Sequence, residues 1–299
     1  MRIASLVSAG TEMLYALGLG AQVVAVSHEC DWPPECQSLP RVTRSNIDSA
    51  AESGAIDDEV RRMLAAGKPL YEVDAQALAQ LEPDLIVAQA QCDVCAVRYD
   101  DVMDAVQSEP RLRPCQVIAL NPSSLGGVLA EMCRIGDAVG IGERAREVVM
   151  RLRDRVETVR RQTAKIPRHE RPRVAIIEWT EPLMLAGNWM PELVEMAGGI
   201  CWPSPGQPSG TFEWEELVRF DPEVILVCPC GFDEYRAAEE TKLLARRAGW
   251  SELIAVRRGH VFSLDGNAHF NRPGPRLVDS LELLAGICAS ARVAMKTSA

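Results

Sequence analysis

Ten cysteines are the first chemistry this chain offers, at positions 30, 36, 92, 95, 115, 133, 201, 228, 230 and 288. Two spacings stand out, Cys92-x-x-Cys95 and Cys228-Pro229-Cys230. Thiolates are soft donors, and a Cys-x-x-Cys pair lets one loop grip a single ion. Cys30, Cys92 and Cys95 with one of Cys228 or Cys230 would supply four sulfurs, enough for zinc or an iron–sulfur cluster. His28 is a possible substitute among them. The same thiols could instead line a pocket in the reduced state. A third use is thiol oxidoreduction by Cys92 and Cys95, which requires Cys92 to open a helix whose N-terminus lowers its pKa. Val102, Ala105 and Val106 would then share one face of that helix. Cys115, Cys133 and Cys288 sit singly in apolar surroundings and read as small core residues. Cys36 and Cys201 fit either description.

These residues need elements to hold them. Arg2–Val7, Gln22–Val26, Leu81–Ala88 and Cys115–Leu120 are runs of Val, Ile and Leu without alternation, as strands buried on both faces of a parallel sheet require. Thr11 is a plausible N-cap for a helix that Gly18 ends. From Leu125 the period changes: Val128, Met132, Ile135 and Val139 mark one helical face, closed by Gly140. Helical spacing resumes from Ala145 to Val159, so residues 125–165 form a helical connector. Strands return at Arg173–Ile177, Glu223–Val227 and His260–Leu264. Helical patterns lie between them at Pro191–Ala197, Glu213–Val218 and Thr241–Ala248, and a last helix runs from Gly274 to about Ile287. The expected organisation is an N-terminal α/β lobe over 1–124, the connector, a C-terminal α/β lobe over 166–289, and a loose tail over 290–299. Two lobes also suit 299 residues at about 150 per domain.

In open parallel sheets, ligands bind beyond the carboxyl ends of the strands, where the loops converge. The segments expected there carry Thr11, His28 and Cys30, then Gln89, Cys92 and Cys95. In the second lobe they carry Glu178 and Trp179, Cys228, Cys230 and Phe232, and the stretch from Asp265 to Asn271. Five of the ten cysteines thus fall on one kind of edge. Trp179 and Trp189 flank a loop rich in Pro, Gly and Asn; they either face a cleft as flat contacts or fold back on the core. Trp214 reads as core. Glu178 is a base, a ligand anchor or a hook for a neighbouring loop. Arg272 and Arg276 bracket a Pro-Gly-Pro helix start and either meet an anion or pair with Asp265 or Glu282.

Composition removes several partners. Lys and Arg total 32 against 42 Asp and Glu, a net charge of -10 without a basic patch, which argues against nucleic acid and anionic membranes. No stretch approaches 18 apolar residues, so no membrane insertion is expected. Arg2 is the sole cation before the apolar stretch Ile3–Gly10, and Thr11-Glu12 interrupts that stretch. It therefore reads as strand and helix rather than as a secretory signal, and the protein is expected in the cytoplasm. No nucleophile elbow, phosphate-cradling glycine loop or His-Glu-x-x-His is present.

Several segments carry a resemblance. Arg2-Ile3-Ala4-Ser5-Leu6, Thr11-Glu12-Met13-Leu14-Tyr15-Ala16-Leu17-Gly18, Leu81-Glu82-Pro83-Asp84-Leu85-Ile86 and Arg272-Pro273-Gly274-Pro275-Arg276 are similar to the class III substrate-binding proteins. That family serves ABC importers of cobalamin, haem and iron–siderophore complexes. The resemblance covers nearly the whole chain. It implies two Rossmann-like lobes with mostly parallel sheets, joined by a long helical backbone, and a small-molecule ligand held between them. His28-Glu29-Cys30-Asp31, Cys92-Asp93-Val94-Cys95, Ile177-Glu178-Trp179 and Cys230-Gly231-Phe232 resemble a leaderless branch labelled cobalamin-binding protein. The expected function is therefore a cytosolic, non-enzymatic protein that holds a cobalamin-like ligand. Thr11, His28, Gln89, Glu178, Trp179, Trp189, Phe232 and Asn271 would contact it, with Cys30, Cys92, Cys95 and Cys230 as soft donors. An importer partner would follow from the family alone.

Overall fold

A computed structural model describes residues 1–297 apart from Asp93, Cys95, Ser204 and Gly206. The chain folds as two units, 1–122 with 126–150 and 123–125 with 151–299.

In the first unit the sheet strands are β1 (Ile3–Ser5), β2 (Val23–Val26), β5 (Leu85–Gln89) and β6 (Gln116–Leu120), while β3 (Thr43–Ser45) and β4 (Tyr71–Val73) form a separate antiparallel ribbon. The order β2-β1-β5-β6 is parallel throughout. Every residue of β1 and β5 is buried, which explains their unbroken apolar runs. At roughly 1.5–3 kcal/mol for each large aliphatic side chain buried, those strands anchor the unit. The helices are α1 (Ser8–Ala16), α2 (Ser53–Ala65), α3 (Ala75–Gln80), α4 (Tyr99–Ser108) and α5 (Leu125–Ala138), and α6 (Gly142–Thr163) runs across the division. Ile3 and Ala4 pair with Leu85 and Ile86, and Ser5 pairs with Val87, so β1 ends two residues short of the carboxyl end of β5 at Gln89. Their following loops leave from adjacent strands.

Two expectations change here. Thr11 does not cap α1: the helix begins at Ser8 after an extended Val7 that makes no side-chain cap. Helix and sheet are nearly in contact at this point, since a Cβ on Gly10 would stand 2.7 Å from Val87 Cγ1. Cys92 does not open a helix either, because α4 starts at Tyr99 with Asp100 and Asp101 in its first turn. Cys92 therefore lacks the helix N-terminus that would activate its thiol.

The second unit has strands β7 (Arg173–Thr180), β8 (Leu183–Leu185), β9 (Ile200–Cys201), β10 (Gly210–Thr211), β11 (Val224–Val227) and β12 (Val261–Ser263). Its helices are α7 (Met190–Met196), α8 (Trp214–Phe220), α9 (Glu234–Leu244), α10 (Ile254–Arg257) and α11 (Leu277–Thr297). The order is β10-β8-β7-β11-β12, with β9 on β7; β8 and β10 are antiparallel and the rest parallel. The short antiparallel strands carry no sequence pattern of their own. Trp214 packs in the core with Leu217, Leu244 and Trp250, as its reading as a core residue requires. A reciprocal capping box between Glu213 and Glu216 starts α8. The last helix continues to Thr297, ten residues beyond the expected end at Ile287, so positions 290–297 are helical and not a loose tail. Lys296 holds that end by pairing with Glu170 at 2.7 Å. Among the described residues, no helix is long and apolar enough to cross a membrane.

Candidate functional site

At the carboxyl edge of the first unit, the loops are tied by side-chain hydrogen bonds. Gln89, the last residue of β5, uses its whole amide on the next loop. Its Nε2 donates to the carbonyls of Cys92 (2.6 Å) and Val97 (3.2 Å), and its Oε1 accepts from the amides of Gln91 (2.7 Å) and Cys92 (2.9 Å). Gln89 is buried, so it shapes this loop rather than meeting a ligand directly. Tyr71 from β4 adds a bond from its hydroxyl to the Val94 carbonyl at 2.8 Å. Cys92 is half-buried, and its sulfur receives the Val94 amide at 3.4 Å. Cys95 lies outside the described residues.

The turn after β2 is clamped from three sides. Arg41 donates to the carbonyls of Ser27 (3.0 Å), His28 (2.6 Å) and Cys30 (3.1 Å). Ser8 donates to the Glu29 carbonyl at 2.9 Å. Thr43 receives the His28 backbone amide at 2.9 Å and meets His28 Nδ1 at 2.7 Å. The His28 ring lies against Tyr71, with centroids 5.4 Å apart.

Thr11 and Cys30 are fully buried and serve each other. The Thr11 hydroxyl donates to Ser5 Oγ at 2.8 Å, so its contact of 3.1 Å with Cys30 Sγ makes the thiol the donor. Cys30 is thus a protonated core thiol, not a soft ligand at a mouth, and Thr11 is not ligand-facing. Sequence reasoning missed Trp32, which stands just past this turn and is 47% exposed. Its signal was available: an indole between Asp31 and Pro33-Pro34 in the loop after the second strand.

The second unit builds its edge from rings. Trp179, near the end of β7, is half-buried and packs on Phe232 with centroids 5.2 Å apart. Arg236 also covers Phe232, its guanidinium carbon 3.6 Å from the ring centroid. Asp233 sets that arginine's place by capping α9, accepting the Arg236 amide at 2.8 Å. Phe232 itself is buried, so it backs Trp179 rather than touching a ligand. Trp189 is buried as well, and its Nε1 donates to the Phe270 carbonyl at 2.6 Å. Of the two flanking tryptophans, only Trp179 is left partly accessible.

Glu178 receives the Ser209 hydroxyl at 2.8 Å, and Ser209 in turn accepts the Gly187 amide at 3.0 Å. It therefore hooks the β8–β10 segment in place. The loops after β11 and β12 are joined by Asn271 Nδ2, which donates to the Cys228 carbonyl at 2.8 Å, and by the Gly266 amide, which donates to the Phe232 carbonyl at 2.9 Å. A Cβ on Gly266 would come within 2.2 Å of the Pro229 carbonyl oxygen, so only glycine allows this approach. Asn271 Oδ1 and His269 Nδ1 are buried without a hydrogen-bond partner among the described residues, and burial pushes the His269 pKa down. Cys228 is wholly buried; burial, then Glu178 and Cys230, push its pKa up and keep the proton on sulfur. Cys230, half-buried, is the more accessible of the two. Arg276 donates to the Asn267 carbonyl at 3.2 Å, and Glu282 pairs instead with Arg155. Cys288 is buried as expected, whereas Cys115 and Cys133 are only half-buried and Cys36 is fully buried. Among the described residues, no three His, Cys, Asp or Glu side chains are grouped to hold a metal ion.

The two edges offer flat apolar plates and polar anchors. Such surfaces suit ligand binding. Known proteins share this build. Residues 3–268 match the periplasmic binding protein family. An uncharacterized ABC transporter substrate-binding lipoprotein, YvrC of Bacillus subtilis (strain 168), is 24% identical over 289 residues, covering 95% of this chain and 78% of that protein. The vitamin B12-binding protein of Vibrio cholerae serotype O1 (El Tor Inaba N16961) is 24% identical over 299 residues, covering 99% and 90%. Among solved structures, the periplasmic heme-binding protein RhuT of Roseiflexus sp. RS-1 superposes with a TM-score of 0.73 at 21% identity, covering 97% and 98% of the two chains. The periplasmic vitamin B12 binding protein of Vibrio cholerae superposes with a TM-score of 0.68 at 21% identity, covering 97% of each chain. With α/β units of this build and a family match over most of its length, the chain belongs to the class III substrate-binding proteins of the periplasmic binding protein family.

Proposed function

We propose that this protein is a cytosolic, non-enzymatic binder of a cobalamin-like ligand, a flat metal-containing macrocycle taken up at its carboxyl-edge loops. Relatives named for vitamin B12 and for heme support the ligand class, since both are planar metal macrocycles. The observation that carries the reading is the partly exposed indole on each unit, Trp32 beyond β2 and Trp179 near the end of β7, the second packed on Phe232, which Arg236 also covers. Rigid aromatic faces suit a large planar ligand and gain about 0.5–1.5 kcal/mol each beyond the area they bury. A four-sulfur zinc or iron–sulfur site is not proposed, because Cys30 is a buried thiol that keeps its proton in a hydrogen bond to Thr11, and Cys228 is buried and keeps its own.

Calorimetric titration of the reduced full chain with cyanocobalamin tests this directly. Saturable 1:1 binding in the micromolar range or tighter is expected, with the ligand recovered unchanged. No heat and no quenching of tryptophan fluorescence at about 100 μM ligand would overturn the ligand class. The location is tested separately, by fractionating cells that express the complete gene. A cytosolic protein would meet its ligand after import and would not deliver it to an importer. Recovery in the periplasmic or membrane fraction would reverse that part of the reading.

A further inference from the structure

The second unit contains a cavity that its carboxyl-edge loops do not account for. It encloses about 490 Å³ between α6 and α11, a size within the range of small-molecule sites. Ala197 and Gly198 line it and lead into β9, where Ile200 pairs with Arg173 at the start of β7. That part of the cavity therefore lies by the amino ends of β7 and β9. Trp179 marks the other end of β7.

Most polar groups in the lining are already committed. Thr158 donates to the Asp154 carbonyl at 2.8 Å, and Thr163 donates to the Met196 carbonyl at 2.6 Å. Arg155 is held by Glu282 at 2.6 and 2.8 Å and by Asp279 at 2.6 Å, so this end of the cavity presents a neutralised cation. Burial pushes the Cys288 pKa up to about 12, which keeps its thiol uncharged. Arg292 differs from all of these. It is half-buried, lines the same cavity, and forms no hydrogen bond or ion pair among the described residues. Glu170, whose charge Arg292 also feels, is bonded by Lys296 at 2.7 Å instead.

The rest of the lining is the Gln162 amide and an apolar wall that includes Val159, Ile166, Ala285 and Ala289. Space remains over α11, because a Cβ on Gly286 would meet nothing within 4 Å. From Glu282 to Arg292 the helix rises about 15 Å, so the free cation stands at one end of an elongated apolar trough. A guanidinium keeps its charge and presents a fork of N–H groups that matches a carboxylate. A multiply charged anion would find a single free cation and would meet the Glu282 carboxylate as well.

We propose that this cavity binds an alkyl monocarboxylate, with its carboxylate on Arg292 and its chain running past Ala289 towards Val159 and Ala285. The site is separate from the ligand proposed above and does not rest on it.

Octanoate, octanol and acetate, each titrated into the reduced full chain, test head and tail separately. Octanoate should bind 1:1 with a Kd below about 1 mM. Octanol lacks the charge and acetate lacks the chain, so each should bind at least roughly tenfold more weakly. Arg292→Gln should bring octanoate down to the affinity of octanol. Gly286→Leu fills the open space and should abolish octanoate binding. Position 286 is exposed in mid-helix, where glycine is unfavourable, so this variant should keep its fold. A third readout needs no variant: the Ile166 δ1-methyl NMR signal should shift as octanoate is added. Octanoate affinity that is unchanged in Arg292→Gln or in Gly286→Leu would overturn the proposal. So would an unmoved Ile166 methyl, or no binding at about 10 mM octanoate.

Discussion

The two carboxyl edges are built by different means. In the first unit, Gln89, Arg41, Thr43 and Ser8 fix the loops through hydrogen bonds to backbone, and the half-buried His28 imidazole lies against Tyr71. In the second, rings join the hydrogen bonds: Trp179 packs on Phe232 and Trp189 donates to the Phe270 carbonyl, although aromatic residues are only 5% of the chain. A bonded edge tolerates a change of size better than a loss of polarity, while a packed edge does the reverse. The first edge suits polar groups and the second suits flat apolar ones.

The contrast can be broken by substitution. The largest effect is expected at the packed edge, where Gly266→Val drives a side chain into the Pro229 carbonyl. Overpacking of this kind should cost about 3 kcal/mol in urea unfolding, and a neutral result would mean the two loops are not closely apposed. At the bonded edge, Gln89→Leu keeps the volume but leaves two amides and two carbonyls without their partner. A loss of about 2 kcal/mol is expected in the same assay, and a Leu variant as stable as the parent would refute the bonding account.

Alkali gives a third handle, because the second unit holds more buried thiols with raised pKa values. Burial pushes Cys201 and Cys288 each up to about 12, from 9.0 for a free thiol. Cys228 is raised too, while the first unit has Cys115, up to about 12 but only half-buried. The folded state keeps protons that the unfolded chain releases, so stability is full below pH 9.0 and falls as pH rises towards 12. The slope should reach about 1.4 kcal/mol per pH unit for each thiol at most. Urea midpoints measured at pH 8 and again near pH 10 should fall less in a Cys201→Ala, Cys288→Ala double variant than in the parent. The smallest effect is expected for Arg236→Ala, which removes the cation over Phe232, at about 0.5–1 kcal/mol.

Much of this fold was legible because the central strands are buried on both faces. Leu85–Gln89 and Val224–Val227 had no alternative to a parallel core strand, and α5 showed its period as far as Gly140. The boundaries were less legible where no local chemistry marks them. The first helix starts without a side-chain cap, so a nearby threonine imitates one, although its hydroxyl belongs to a buried chain with Ser5 and Cys30. The last helix has no stop signal near Ile287, and Ala291 is still buried beyond that point. At the site, residue types were legible and their depth was not. Trp189 and Trp179 look alike in sequence, yet a single carbonyl acceptor at Phe270 draws the first into the core. Thr43 and Arg41 act through backbone groups, which leave no trace in residue spacing.

Phe270 carries a final consequence. Its φ of 71° lies in the left-handed region, uncommon for a bulky side chain, and it is held there at both ends. Ser280 receives its amide at 3.2 Å and Trp189 grips its carbonyl at 2.6 Å. Such a conformation costs on the order of 1–3 kcal/mol, met during folding. The segment carrying His269 and Asn271 thus reaches any incoming molecule in its finished shape. Association there should be quick, with little entropy left to lose on contact.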